Sequence, residues 1–235
     1  MRITVFLIIG LLPLQGMSAS PETFRQAKKA ISLIYTSNPS SFYCNCPYKK
    51  INGKLRVDLN NCGYQVRKNA RRAARIEWEH VVPAHHFGHT RQCWREKICT
   101  KKNGKKYKGR RCCTKTDPVF RKMASDLHNL VPAIGEVNGD RSNFKYGMIE
   151  GEKRAYGKCD IEIDFKSRIA EPSSEVQGDI ARMYFYMNKT YQMPISKKQR
   201  KLFDAWHKRD PVSEWEKIRN SHIKDIQGSG NPFIE

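Results

Sequence analysis

Eight cysteines constrain this chain more than any other feature: Cys44, Cys46, Cys62, Cys93, Cys99, Cys112, Cys113 and Cys159. An even number implies a disulfide framework if the chain leaves the cytoplasm. The N-terminus carries the mark of export. Met1-Arg2 is a short positive start, Ile3 to Leu14 is an apolar run broken only by Thr4, Gly10 and Pro13, and small residues follow at Gly16, Ser18, Ala19 and Ser20. That charged, apolar, small-residue order is a cleavable leader. The run is too short for a bilayer span, which takes ~20 residues. Cleavage is expected near Ser18 to Ser20, so residues 1–19 are a leader and residues 20–235 one mature domain, with no membrane insertion. Zinc is the competing use of the cysteines. Cys44-x-Cys46 lacks the usual zinc spacing, and no matching pair stands at the expected distance, which favours disulfides.

Charge narrows the partner. Lys and Arg number 44 against 23 Asp and Glu, a net charge of +21. That excess suits a polyanion, whether nucleic acid, an envelope polymer or a membrane surface, and composition does not choose among them.

Periodicity gives a mixed pattern. Phe24, Ala27, Ile31 and Ile34 fall at helical spacing, with Ser20 as cap and Pro21 early. Asn52-Gly53 is a hairpin turn, followed by alternating Leu55, Val57 and Leu59. Ile76 and Trp78 alternate with Glu77 and Glu79, so a strand runs out into a loop at His80-Val81-Val82-Pro83. Residues 94–116 are basic, show no apolar period and read as a loop. Asp117-Pro118 starts a helix whose stripe is Phe120, Met123, Leu127 and Leu130 or Val131, closed by Pro132. Cys159, Ile161, Ile163 and Phe165 alternate as a half-buried strand. Val176, Ile180, Met183, Tyr184, Met187 and Tyr191 mark a long amphipathic helix, and Ser196 with Gln199 and Ser213 with Glu216 are capping boxes. Helices dominate with a few strands between them, so the fold class is α+β.

Two short stretches carry chemistry: Glu77-Trp78-Glu79-His80 and Asp126-Leu127-His128-Asn129. The first sets a carboxylate beside an imidazole at a strand end. On the expected helix Asn129 lies about 180° from Phe120, which leaves its carboxamide free of the core. An imidazole near neutral pKa can take a proton from water. Carboxylate and carboxamide oxygens suit a hard cation that keeps several waters and takes substrate phosphate into its shell. A Glu-His pair at a strand end is more often structural, and Glu77 fits a solvated or ion-paired residue equally well. His85, His86, His89, His128, His207 and His222 are expected to pack or face solvent.

The stretch from Arg75 to Ala84 (RIEWEHVVPA), with FGH at 87–89 and RQCW at 91–94, resembles bacterial endonuclease I. So do FYCNC at 42–46, CGYQVRKN at 62–69, DLHNL at 126–130, the run from Pro132 to Phe144, and that from Gly178 to Met187. The resemblance covers nearly all of the mature chain. It implies a ββα-metal finger of the HNH kind, embedded in the single α+β domain. It implies a periplasmic or secreted monomer that cuts DNA and RNA without sequence preference and leaves 5′-phosphate ends. His80 would be the general base, and Glu79 and Asn129 the ligands of Mg²⁺, with Mn²⁺ or Ca²⁺ as alternatives, directly or through water. A phosphate-stabilising arginine would be Arg110, with Arg111 as its rival. A basic binding protein without catalysis, or an enzyme acting mainly on RNA, are the competing readings.

Departures from the family pattern carry their own expectations. The cysteines expected after Trp215-Glu216 and near the C-terminus are absent, while Cys99 and Cys112 flank an enlarged basic loop. Cys99 is expected to pair with Cys112 and Cys93 with Cys113. The segment from His222 onward is expected to be less firmly held. Lys101, Lys102, Lys105, Lys106, Lys108 and Arg111 are expected to contact nucleic acid.

Overall fold

A computed structural model describes residues 20–151 and 153–234, so the expected leader lies outside the described residues. Helix α1 (Phe24–Ile34) is capped by Thr23, whose side chain accepts from Gln26 N–H while Gln26 reciprocates. The expected cap, Ser20, stands outside the helix: Thr23 has the partner three residues on that a capping box requires. Ala27, Ile31 and Ile34 face a small core with Leu127, Leu130 and Ile223, and Phe24 packs at its edge.

Strands β1 (Tyr48–Ile51) and β2 (Lys54–Val57) form the expected hairpin. Asn52 and Gly53 take φ of 48° and 75°, which a two-residue hairpin turn requires. After the short helix α2 (Ala70–Ala73) comes β3 (Ile76–His80), the strand that alternation predicted.

Residues 94–116 differ from the expected loop. Following α3 (Ala84–Gly88) and α4 (Gln92–Arg95), the tract folds into β4 (Cys99–Thr100), β5 (Lys106–Tyr107) and α5 (Arg110–Thr116). Disulfides Cys93–Cys113 and Cys99–Cys112 tie it down, the pairs expected for the insert. Cross-links supply the order here, which apolar periodicity does not register. Closing loops of this length stabilises by ~3 kcal/mol each in the chain-entropy view. Cys44–Cys159 and Cys46–Cys62 complete the set, and none of the eight is free.

Helix α6 (Pro118–Ser125) begins as expected, with Asp117 as cap and Pro118 in the first turn. It stops short of the expected end. Asp126 turns extended and caps a 3-10 turn over Leu127–Asn129, after which β6 (Leu130–Ile134) pairs antiparallel with β3. Pro132 is the reason. A proline removes the helical bond to the residue four back, and it drives its predecessor, here Val131, out of helical space. In β6 Pro132 faces Trp78, and its carbonyl accepts from Phe42 N–H.

Helix α7 (Gly135–Arg141) follows β6 directly. Only glycine fits at its start, because a Cβ on Gly135 would stand 2.7 Å from the Arg72 carbonyl and 2.9 Å from Glu77 Oε1. Strands β7 (Lys145–Tyr146), β8 (Ile161–Asp164) and β9 (Ile169–Pro172) make a three-stranded sheet in the order β7-β9-β8. Phe165, expected on the inner face of β8, lies beyond the strand and is exposed, while Glu162 is buried.

The rest is helical: α8 (Gln177–Tyr191), α9 (Lys197–Arg209) and α10 (Glu214–Gln227). Ser213 and Glu216 form a full capping box. Ser196 makes half of one, because Gln199 Nε2 donates instead to the Tyr146 carbonyl. The C-terminal segment is packed rather than loose. Asn231 is fully buried and bonds to Asn220 and to the Arg182 carbonyl, and Ile234 is buried too. Side-chain hydrogen bonds hold it where a cysteine was expected.

Candidate active site

Strand β3 delivers Glu79 and His80 to the end of the β3–β6 ladder, His80 opposite Leu130. Both side chains are buried, 5% and 6% exposed. The alternation that puts Ile76 and Trp78 on one face leaves Glu77 and Glu79 on the other. Glu77 is the ion-paired residue that sequence left open, held by Arg72 and Arg75 and in contact with Asn138.

Glu79 Oε1 accepts from Arg141 Nη1 at 2.9 Å and from Tyr43 Oη at 3.4 Å. Among the described residues no hydrogen bond is seen to Oε2. Burial pushes the Glu79 carboxyl up to about 7, with the charges of Arg141 and Arg110 and the Tyr43 hydroxyl pulling the other way.

His80 Nε2 lies 2.8 Å from the Ala124 carbonyl. A carbonyl only accepts, so Nε2 carries the proton and Nδ1 keeps its lone pair. The imidazole stacks on Phe24 at 4.8 Å and 28°, and meets Phe87 edge-on at 6.2 Å. Burial lowers its pKa to about 3, and Arg110 adds to this while the Ala124 bond opposes it. The ring is neutral at neutral pH.

Asn129 is placed otherwise than expected. It sits in the 3-10 turn, fully buried, and not on the outer face of a helix. Its Oδ1 accepts from Val82 N–H at 2.7 Å and its Nδ2 donates to the Val82 carbonyl at 2.9 Å. The carboxamide thus pins the loop that leaves β3. An amide oxygen has two lone pairs, so one remains.

Arg110 and Arg111 diverge because neighbours on a helix point ~100° apart. The Arg110 guanidinium stands 5.6 Å from the Phe24 ring centre, on the side of Glu79 and His80. Arg111 instead lies 5.7 Å from the Tyr107 ring centre. It lines an open cleft on the insert with Lys101, Lys102 and Lys115. Lys105 and Lys106 are exposed on the same hairpin, and Lys108 donates to the Arg95 carbonyl at 2.9 Å. The six cations assigned to nucleic acid therefore form one surface, and Arg110 belongs to the buried centre.

Sequence reasoning missed Arg141, Tyr43 and Phe24. Arg141 is fully buried and donates to Glu79, to the His80 carbonyl at 3.1 Å and to the Val81 carbonyl. Its only signal was its place in the run from Pro132 to Phe144. Tyr43 shares a 2.5 Å hydrogen bond with Tyr146. Phe24 was hidden by fitting an apolar stripe.

Two antiparallel strands, the helix that follows them, and a carboxylate, imidazole and guanidinium converging at the strand end define a disulfide-bonded α+β protein with a polar reaction centre. Known proteins identify it further. The Endonuclease I family model matches residues 16–235. A periplasmic deoxyribonuclease of Aeromonas hydrophila is 47% identical over 224 residues, 95% of this chain and 89% of that protein. An extracellular deoxyribonuclease of the same species is 46% identical over 91% of this chain and 88% of its own length. An endonuclease-1 of Buchnera aphidicola from Acyrthosiphon pisum is 47% identical over 91% of this chain and 80% of its own length. The chain belongs to the endonuclease I family. Like these relatives it is a periplasmic or secreted protein, and among the described residues no helix is long and apolar enough to cross a membrane.

Proposed function

We propose that this protein is an exported endonuclease that hydrolyses phosphodiester bonds of DNA, and of RNA, without sequence preference. In this reading residues 1–19 are removed on export and residues 20–235 act as one monomeric nuclease domain. The observation that carries it is the bond from His80 Nε2 to the Ala124 carbonyl, 2.8 Å, beside the Glu79 carboxylate. It leaves a neutral imidazole with its Nδ1 lone pair directed to act as a base.

The donor set at the strand end fits a hard divalent cation. Glu79 Oε2 is the oxygen that Arg141 and Tyr43 leave over, and Asn129 Oδ1 keeps a lone pair for a direct or water-mediated contact. Among the described residues no group of three His, Cys, Asp or Glu gathers to hold a metal. One carboxylate and one carboxamide match Mg²⁺, which keeps several waters and binds substrate phosphate; Mn²⁺ and Ca²⁺ share these donors. In this reading β3, β6 and α7 constitute a ββα-metal finger. The cation, when bound, supplies charge stabilisation for the phosphate and the leaving oxygen.

The chain's own residues do the rest. His80 Nδ1 takes a proton from the attacking water, and the Ala124 bond spreads the imidazolium charge that results. The phosphate's negative charge raises the His80 pKa from its low resting value as substrate arrives. Arg141 keeps Glu79 ionised and fixed. Arg110 reaches the phosphate and offsets the charge that grows there, leaving a 5′-phosphate end. The basic insert follows the backbone outside the cut, with Lys101, Lys102 and Arg111 contacting phosphates.

Plasmid nicking with Mg²⁺, with and without a chelator, tests this reading. His80→Ala should bind DNA and fail to nick it. Full nicking by that variant, or by the parent in excess chelator, would refute the mechanism.

A further inference from the structure

Three contacts fix the plane of the His80 imidazole. Ala124 carbonyl holds Nε2 at 2.8 Å, Phe87 meets the ring edge at 6.2 Å, and Phe24 covers its face at 4.8 Å. The first two come from α6 and α3, elements close to the strand end. Phe24 comes from the first residue of α1, more than fifty positions away in sequence. It is also the ring against which Arg110 is set, 5.6 Å from its centre, with Lys28 Nζ at 5.1 Å.

We propose that Phe24 is a positioning residue of the proposed reaction: its ring sets the angle of the His80 imidazole and the station of the Arg110 guanidinium together. One hydrogen bond to Ala124 leaves the imidazole free to swing about the axis through Nε2. A stacked ring removes that freedom, because turning the imidazole out of parallel would break face-to-face contact on one side. An aromatic face also attracts a guanidinium without competing for its hydrogens, so Arg110 stays near the centre with its donors available. An aspartate or glutamate at the same place would hold Arg110 more strongly and occupy those donors. A base misplaced by about 1 Å loses about a hundredfold in rate.

The remainder of α1 fits this assignment. Ala27, Ile31 and Ile34 bury the helix against Leu127, Leu130 and Ile223, and Thr23 with Gln26 caps its first turn. Phe24 follows that cap at once, so the best-fixed turn of the helix carries the ring. Leu127 and Leu130 flank the turn that holds Asn129, so the helix packs on the same segment that forms the site.

The proposal rests on the reading of His80 as base, and the test separates the two. Phe24→Ala, Phe24→Tyr, Ile31→Val and His80→Ala are compared by steady-state nicking and by carbethoxylation of His80 with diethyl pyrocarbonate in metal-free protein, read by mass spectrometry. Phe24→Ala should lower kcat about tenfold to a hundredfold with KM little changed. It should also make His80 react several times faster. Phe24→Tyr keeps the ring and should restore both. Ile31→Val loosens the helix core without touching His80 and should change neither. Unchanged kcat and unchanged His80 reactivity in Phe24→Ala would overturn the proposal, and so would an equal loss in Ile31→Val. Should His80→Ala nick normally, the base reading falls, and the reactivity of His80 still decides whether Phe24 governs its ring.

Discussion

Arg141, buried completely, donates one nitrogen to Glu79 Oε1 at 2.9 Å and the other to the carbonyl of Val81. The last turn of α7 thereby holds the strand end that carries the proposed metal ligand and base. The guanidinium does three things at once: it neutralises a buried carboxylate, satisfies the backbone where the β3 ladder stops, and lies 4.6 Å from the Tyr146 ring centre. Its loss should therefore be felt in stability before chemistry. Arg141→Met should destabilise the fold by ~3–5 kcal/mol, the usual cost of stranding one buried charge. Arg141→Lys should recover little, since one ammonium cannot reach both acceptors in the fork geometry. Urea unfolding of the two variants is the measurement, and a loss under ~1 kcal/mol would contradict that role for Arg141.

Asn129 should behave as a loop clamp. Asn129→Ala leaves the Val82 N–H and carbonyl without their partner, at a cost of ~1–3 kcal/mol. Asn129→Asp keeps the shape and the acceptor but cannot donate to Val82, so it should also melt earlier. If melting temperature is untouched in both while nicking is lost, the side chain serves the cation alone.

Glu79 gives a pH dependence of activity. Its carboxyl is pushed up to about 7 by burial, above the ordinary carboxylate value. A ligand must be deprotonated, so protons compete with the cation as pH falls through that value. The Mg²⁺ concentration for half-maximal nicking should rise steeply on going from about pH 8 to about pH 6. A requirement independent of pH over that range would remove Glu79 from the shell.

His128 gives a pH dependence of stability. Burial lowers its pKa to about 4, with Arg219 adding and Asp126 and the Ser229 carbonyl opposing. Unfolded, it titrates near ~6.5. Between those values the unfolded chain binds the proton and the folded chain does not, so stability rises with pH. The contribution is whole above ~6.5 and is lost as pH falls to about 4. His128→Gln should flatten the melting temperature over this window; an unchanged slope would place the acid sensitivity elsewhere, with His86 the next group to test.

The insert should set the salt response. Replacing Lys101, Lys102, Lys105, Lys106 and Lys108 with Gln should shallow the dependence of DNA affinity on salt by ~0.9 for each phosphate that is no longer neutralised. Turnover at saturating DNA should stay near the parental rate, because these side chains lie on the hairpin surface and not at Glu79 and His80.

Local chemistry decided much of this protein from sequence alone. Thr23 with Gln26 was present to cap α1, Asn52-Gly53 to turn a hairpin, and Asp117-Pro118 to start α6, because each acts through neighbours a few residues away. The alternation from Ile76 to Glu79 and the pairing of Cys99 with Cys112 and Cys93 with Cys113 were legible too, the second through family resemblance. Tertiary structure decided the rest. The period from Phe120 to Val131 is helical to the eye, but Pro132 and pairing with β3 turn its end into strand, which buries Asn129 against Val82. The basic tract became ordered only through cross-links. Above all, what surrounds Glu79 and His80 comes from afar: Arg141 from α7, Tyr43 from the segment before β1, Arg110 from α5 and Phe24 from α1. Sequence carries pattern over a few residues, whereas a reaction centre is made where distant segments are forced together by a shared core, and only the fold fixes those meetings.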